Sequence, residues 1–144
     1  MARFRFNMQN YLSLKEKLED QKKMEYGLAS AKVEEEKQKK LEIEAHKAAV
    51  AEDFRKEKAT TFDPVIFQMY NRYIDDLSEK IVVQAEVVIQ AEKAAEEKRL
   101  ELIEAMKERK MLDRLKEKAF EEYVTEEKKA EQKVIDELVS YRYN

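Results

Sequence analysis

Glycine and proline, on which most turns depend, are almost missing from this sequence of 144 residues: Gly27 and Pro64 are the single examples. A globular domain of this length needs several turns, and turns draw heavily on these two residue types. Cysteine and tryptophan are absent. The lack of cysteine excludes disulfide bonds and thiolate metal ligands, and it is compatible with a cytoplasmic protein. The sequence therefore excludes a turn-rich or disulfide-bonded domain.

The same shortages exclude several functional classes. A phosphate-binding loop needs more than one glycine, and His46, the sole histidine, has no thiol to join it in a metal site or a catalytic pair. We therefore predict that the chain is not an enzyme and holds no cofactor or metal ion. The net charge of −3, from 29 basic and 32 acidic residues, argues against a nucleic-acid surface. No apolar run approaches the roughly 18 residues of a membrane span, and no signal-peptide stretch is present.

What the sequence has in abundance is the composition of long helices, with 42% charged and 43% hydrophobic residues. One strong break occurs, at residues 60–64. There Asp63 suits a helix N-cap and Pro64 suits the first helical turn, while the residue before a proline is disfavoured in a helix. Because a lone glycine costs only about 1 kcal/mol in a long packed helix, Gly27 is expected inside the first helix. The sequence predicts helix one at about 4–59, a turn at about 60–63 and helix two at about 64–141.

The second predicted helix carries a regular seam, with mostly apolar residues at alternating steps of three and four, as in a coiled coil. The seam consists of Leu77, Ile81, Gln84, Val88, Ala91, Ala95, Lys98, Leu102, Ala105, Arg109, Leu112, Lys116, Ala119 and Tyr123. The first helix offers three separated apolar clusters instead. They are Met8, Tyr11, Leu14 and Leu18; Met24, Leu28 and Ala31; and Leu41, Ala45 and Ala48. The fold expected is a single all-α antiparallel coiled-coil rod of two helices.

The lengths of the two helices make a further prediction. Because the turn is short, helix two folds back along helix one, and at about 1.5 Å per residue Phe4 should lie near residue 119. About twenty C-terminal residues then extend past the end of helix one. An isolated helix of that length is marginally stable in water. We therefore expect its apolar stripe of Ala130, Val134, Leu138 and Tyr141 to need a partner, either another protein or the chain's own N-terminus bending over it.

Three stretches of the sequence, in this order and spacing, resemble the FliJ family of flagellar type III export proteins. The first, at 4–16, is FRFNMQNYLSLKE, in which aromatic residues flank an arginine ahead of a leucine-rich turn. The second, at 109–117, is the basic segment RKMLDRLKE, and the third, at 131–138, is EQKVIDEL. The resemblance covers nearly the whole chain. It implies an antiparallel two-helix coiled coil similar to the central stalk of rotary ATP synthases.

The resemblance also implies a function in flagellum biogenesis and motility, as a non-enzymatic stalk component. The paired helix ends would enter the ring of a hexameric, FliI-like export ATPase, and the chain would also escort export chaperones. The residues expected to contact the ring are Arg3, Phe4, Arg5, Phe6, Arg109, Lys110, Arg114, Lys116, Val134, Leu138 and Tyr141. The implied location is cytoplasmic, peripheral to the inner face of the cell membrane at the flagellar base, and the implied state of the isolated chain is a monomer.

By the same resemblance, a patch early in helix two would contact a FlhA-like export gate protein. The matching residues are Tyr73, Leu77, Lys80 and Gln84, of which Lys80 departs from the small or polar residue expected. Alternatively, Tyr73 and Leu77 are seam residues packed on helix one. Against that reading, the aromatic and aliphatic residues between 67 and 77 provide more apolar surface than one seam can cover, and such clusters often mark a contact site.

Two other functions remain open at this point. The chain could be a structural coiled coil that self-associates, or a peripheral-stalk or chaperone subunit of another ATPase. Light scattering separates the first from a stalk, because a stalk requires a monomeric hairpin and the rival requires a dimer of extended helices.

Overall fold

The computed structural model, which describes residues 3–143, consists of two long helices packed against each other. Helix α1 spans Gln9–Thr60 (52 residues) and helix α2 spans Pro64–Tyr143 (80 residues). No strand occurs within residues 3–143, so the all-α prediction is confirmed. The first helix begins later than the expected Phe4, since residues 3–8 are not helical and Gln9 N donates to Phe6 O at 3.0 Å.

Asp63 ends the turn between the helices in the way its N-cap position predicts. Its Oδ1 accepts hydrogen bonds from the backbone N–H of Val65 at 3.0 Å and of Ile66 at 3.5 Å. Its carbonyl oxygen accepts the first bond of the helical ladder from Phe67 N at 3.0 Å. Two of the free N–H groups at the start of α2 are thereby satisfied, which is the physical purpose of an N-cap.

Contacts between the helices divide into two compact units. The first, here called the turn unit, consists of residues 23–100. Its apolar core contains few buried side chains: Val33 and Phe54 from α1, and Leu77 and Val88 from α2. Phe54 stacks on Tyr70 with ring centroids 4.9 Å apart and meets Phe67 at 5.7 Å. An aromatic cluster therefore packs between the two helices next to the turn.

The second, here called the terminal unit, consists of the described residues on either side, 3–22 and 101–143. Its buried apolar side chains are Leu12, Ala105 and Leu112. Phe4 packs on Phe120 with ring centroids 5.2 Å apart and on Tyr123 at 5.5 Å. This confirms the expectation that Phe4 lies near residue 119.

The predicted seam of α2 is confirmed, because every one of its residues from Leu77 to Tyr123 is buried or half-buried. The expectation for α1 is wrong in part. Met24 and Leu28 are 71% and 72% exposed, and Met8, Tyr11, Leu14 and Leu41 are also exposed. The heptad positions that face α2 are instead Leu12, Lys15, Glu19, Lys22, Tyr26, Ala29, Val33, Glu36, Lys40, Ile43, Lys47, Val50, Phe54 and Glu57, all buried or half-buried.

Charged residues can occupy the seam of α1 because α2 supplies their partners. In the terminal unit, Lys15 Nζ lies 2.7 Å from Glu108 Oε2 and Lys22 Nζ lies 3.2 Å from Glu101 Oε2. Over residues 3–143, no buried side-chain nitrogen or oxygen lacks a hydrogen-bond partner. The penalty for burying polar groups is therefore offset by bonds across the seam.

Candidate functional site

Three of the four residues predicted for the gate contact line one groove of about 500 Å³ in the turn unit. They are Tyr73, Lys80 and Gln84, and Ile43 borders the same groove from α1. Leu77 does not join them at the surface, because it is only 3% exposed and belongs to the core. Tyr73 is 44% exposed. Leu77 is therefore a seam residue packed on helix one, whereas Tyr73 lies at the surface, where a partner could contact it.

His46 on α1 holds the hydroxyl end of Tyr73. Its Nε2 lies 2.7 Å from the Tyr73 hydroxyl oxygen, and the two rings meet edge to face with centroids 5.8 Å apart. A tyrosine hydroxyl and an imidazole can each donate or accept, so this bond can form with either partner as donor. No pattern in the sequence indicated this pair, because the contact depends on the register between the two helices.

The exposed surface around Tyr73 continues toward the turn. Val65, Met69 and Tyr73 are one helical turn apart, and all three are exposed. Grooves of about 290 and 360 Å³ border Met69 and Tyr73. We call Val65, Met69 and Tyr73 the turn face. Val65 was not among the residues predicted from the sequence, although its spacing of four residues from Met69 could have indicated it.

Gln84 is fixed at the other end of the groove by a buried carboxylate. Its Nε2 donates to Glu36 Oε2 at 2.6 Å and to the Glu36 carbonyl oxygen at 2.9 Å. Lys32 and Lys39 approach Glu36 Oε1 at 2.9 and 3.2 Å. The bond from Lys32, followed by that from Gln84, lowers the pKa of Glu36 from 4.5 to about 2. Gln84 therefore serves the packing of the helices as well as lining the groove.

This network predicts a pH-dependent stability. A carboxyl whose pKa is lower in the folded state stabilises the fold above its unfolded pKa, and that contribution disappears as the pH falls through the folded value. We expect wild type to be more stable than Glu36→Gln at neutral pH. The difference should shrink below about pH 5 and vanish below about pH 2.

Thermal unfolding between those pH values measures the effect. The matched control is Glu34→Gln, since the Glu34 carboxylate is exposed and lies 3.9 Å from Lys37. A difference between wild type and Glu36→Gln that stays constant as the pH falls would contradict the prediction.

In the terminal unit, two residues expected at the ATPase ring are engaged within the chain. Arg109 donates to both carboxylate oxygens of Glu19, at 2.6 and 3.3 Å, and to Asp113 at 2.7 Å. The Glu19 bonds, followed by the Asp113 bond, raise the pKa of Arg109. Lys116 donates to Gln9 Oε1 at 2.7 Å. Arg109 and Lys116 therefore join the helices rather than present free charges.

Other basic residues of that prediction are exposed. Lys110 and Arg114 lie on one side of α2, and Lys107 and Lys118, which the sequence analysis missed, continue the row at helical spacing. Within residues 3–143 none of these four forms an ion pair of the kind seen for Arg109. Arg3 and Arg5 are exposed as well, while Phe6 is half-buried. The structure does not bring these residues into one pocket.

The last part of α2 has no helix opposite it. Every described residue from 128 to 143, here called the tail, is exposed. Its large apolar residues are exposed as well, and Tyr141 is 87% exposed. They are Val134, Ile135, Leu138, Val139, Tyr141 and Tyr143, of which the stripe proposed from the sequence contained only Val134, Leu138 and Tyr141.

The remaining chemistry of the surface is simple. Among the described residues, no group of histidine, aspartate and glutamate is arranged to hold a metal ion. Neither helix, over the part of the chain described, has an apolar stretch long enough to cross a membrane. What the two units offer is helical surface, with aromatic, aliphatic and charged side chains.

Comparison with known proteins gives one family and one solved structure. The family model described as flagellar FliJ protein matches residues 4–144. A solved structure from Chlamydia trachomatis, described as a YscO homolog, is similar at 22% sequence identity with a TM-score of 0.49, covering 98% of this chain and 96% of that chain. Comparison with curated proteins finds no match. Because the family model matches nearly the whole sequence, this chain belongs to the FliJ family of flagellar proteins.

Proposed function

We propose that this chain is the stalk of a flagellar type III export apparatus. Its terminal unit would insert in the ring of a hexameric, FliI-like export ATPase, and its turn unit would contact a FlhA-like export gate. Membership of the FliJ family makes it a structural protein related to type III export, in a family of non-catalytic components. The observation that carries the finer proposal is the tail, an exposed helix whose apolar side chains have nothing opposite them.

The tail suits a protein ring better than water. An isolated helix of this length is marginal in solution, and burying an aliphatic side chain contributes about 1.5–3 kcal/mol. A ring around the tail would bury Val134 and Leu138 and stabilise the helix at the same time. The exposed cations Arg3, Arg5 and Arg114 would then meet an acidic lining, and such contacts should weaken with added salt.

The turn face and the groove beside it support the gate contact. Val65, Met69 and Tyr73 form an apolar strip, and Lys80 adds a positive charge at the groove. Contact sites are typically enriched in aromatic residues and methionine at their centre. Leu77 lies beneath this surface, and its side chain packs in the core. Escort of export chaperones and a position at the inner face of the membrane belong to the same proposal.

The direct test is binding of the purified chain to the export ATPase hexamer and to the gate protein from the same source. We expect a monomer in light scattering that both partners capture and that stimulates the ATPase. A stable dimer that neither partner captures would favour the self-associating coiled coil instead.

The gate contact is tested with Met69→Ala combined with Tyr73→Ala. Because both side chains are exposed and would be buried in the contact, gate affinity should fall by roughly tenfold to a hundredfold. The midpoint of thermal unfolding should change little, as surface substitutions usually do. Titration calorimetry against the gate protein measures the affinity.

The matched control is Val82→Ala with Ile89→Ala, two exposed apolar residues of the same unit outside the turn face. Their affinity should equal that of wild type. Equal losses in the two double variants, or a loss in neither, would contradict the assignment of the turn face to the gate.

A further inference from the structure

His46 is the one histidine of the chain, and it lies across the helix pair from the turn face. Its Nε2 is 2.7 Å from the Tyr73 hydroxyl oxygen, and its ring edge meets the Tyr73 ring. Tyr73 in turn forms part of the groove that also contains Lys80 and Gln84. The imidazole therefore joins α1 to the aromatic side chain that lines this groove.

We infer that His46 is a positioning residue for the gate contact: it fixes the Tyr73 ring in the orientation that the gate protein binds. The inference rests on the proposed function, because it assumes that the turn face meets the gate. It adds a residue of α1 to a contact that the sequence had assigned to α2 alone.

The physical reason is the freedom of an exposed tyrosine. On a helix such a side chain has two common χ1 rotamers, and Tyr73 is not held by burial, since 44% of it is exposed. A bond across the helices at 2.7 Å selects the rotamer that leans toward α1. A side chain already fixed in its bound orientation loses less freedom when the partner arrives, and affinity rises accordingly.

The same bond shapes the groove. Ile43, one turn before His46 on α1, lines the groove opposite Tyr73. If the Tyr73 ring turned away from His46, it would move out of the wall that it shares with Asp76 and Lys80. The loss of His46 should therefore change how the groove is presented, although His46 itself need not touch the gate protein.

The experiment compares gate affinity for His46→Ala, Tyr73→Phe and the double variant. Ordering one side chain corresponds to an affinity change of about twofold to tenfold, which is the loss expected for His46→Ala. His46→Gln, whose amide can still bond the hydroxyl, should recover part of it. In the Tyr73→Phe background, which lacks the hydroxyl, His46→Ala should cause a smaller further loss, as coupled residues do in a double-mutant cycle.

Controls separate positioning from stability and from the proposed function itself. Gln38→Ala changes an exposed residue of the same helix and unit and should leave affinity unchanged. In the free, untagged protein, Tyr73→Phe should shift the NMR signals of the single imidazole, while Tyr141→Phe should not.

Wild-type affinity for His46→Ala, or an equal loss with and without the Tyr73 hydroxyl, would overturn the inference. If Met69→Ala with Tyr73→Ala binds the gate normally, the gate contact fails, and the inference fails with it.

Discussion

Phe54→Ala should lower the free energy of unfolding by about 3–5 kcal/mol, the range for removing a buried phenylalanine. Phe54 is 5% exposed and contacts both Tyr70 and Phe67 from α2. A typical domain is stable by only about 5–15 kcal/mol in total. Because so few apolar side chains are buried in the turn unit, this one substitution should remove a large part of its stability. Urea unfolding followed by circular dichroism measures the loss.

Phe62→Ala is the matched control, the same substitution at an exposed phenylalanine of the same aromatic cluster. Phe62 touches Phe67 with ring centroids 5.8 Å apart but lies at the surface. Its removal should cost less than about 1 kcal/mol. Equal losses for the two variants would show that the aromatic cluster does not form the core beside the turn.

Val134→Ser combined with Leu138→Ser should weaken binding to the ATPase ring by about a hundredfold. The two side chains are exposed one turn apart on the tail, so they contribute almost nothing to the folded monomer. In the proposed complex they would be buried against the ring, and their loss would remove two apolar contacts. The dissociation constant of the purified chain and the assembled hexamer, measured at fixed salt concentration, tests this expectation.

Lys133→Ser with Glu137→Ser has the same spacing and the same length of tail, but changes charged residues beside the apolar ones. This control should bind the ring within about threefold of wild type, since it removes one charge of each sign from an exposed surface. If it weakens binding as much as the apolar pair does, burial of the tail stripe is not the source of affinity.

How far the fold could be predicted differs between the two helices. For α2 the seam was readable, because most of its residues are apolar and follow a strict heptad rhythm. For α1 the apolar residues misled, since Met24 and Leu28 face solvent while Glu19 and Glu36 are buried. A carboxylate is stable in the seam only if Arg109 or Gln84 lies opposite. Periodicity within one helix cannot supply that information.

The candidate site shows the same limit. The resemblance to the FliJ family was enough to group Tyr73, Lys80 and Gln84, and the structure places all three beside one groove. The burial of Leu77 and the bond from His46 depend on where α1 lies in relation to α2. That position is a property of the packed pair, so no pattern within either helix encodes it.

The buried Glu19–Arg109 pair also sets the reach of the tail. If α1 slid along α2 by one heptad, about 10 Å, so that Glu19 faced Leu102, the buried Glu19 carboxylate would lose its bonds from Arg109, and Arg109 would keep Asp113 on its own helix. Removing a partner from a buried charge is strongly unfavourable. We therefore expect the pair to fix the register of the two helices, so that the same length of α2 always extends beyond Phe4. In the proposed complex, a constant length of projecting helix would fix how far the tail reaches toward the ATPase ring.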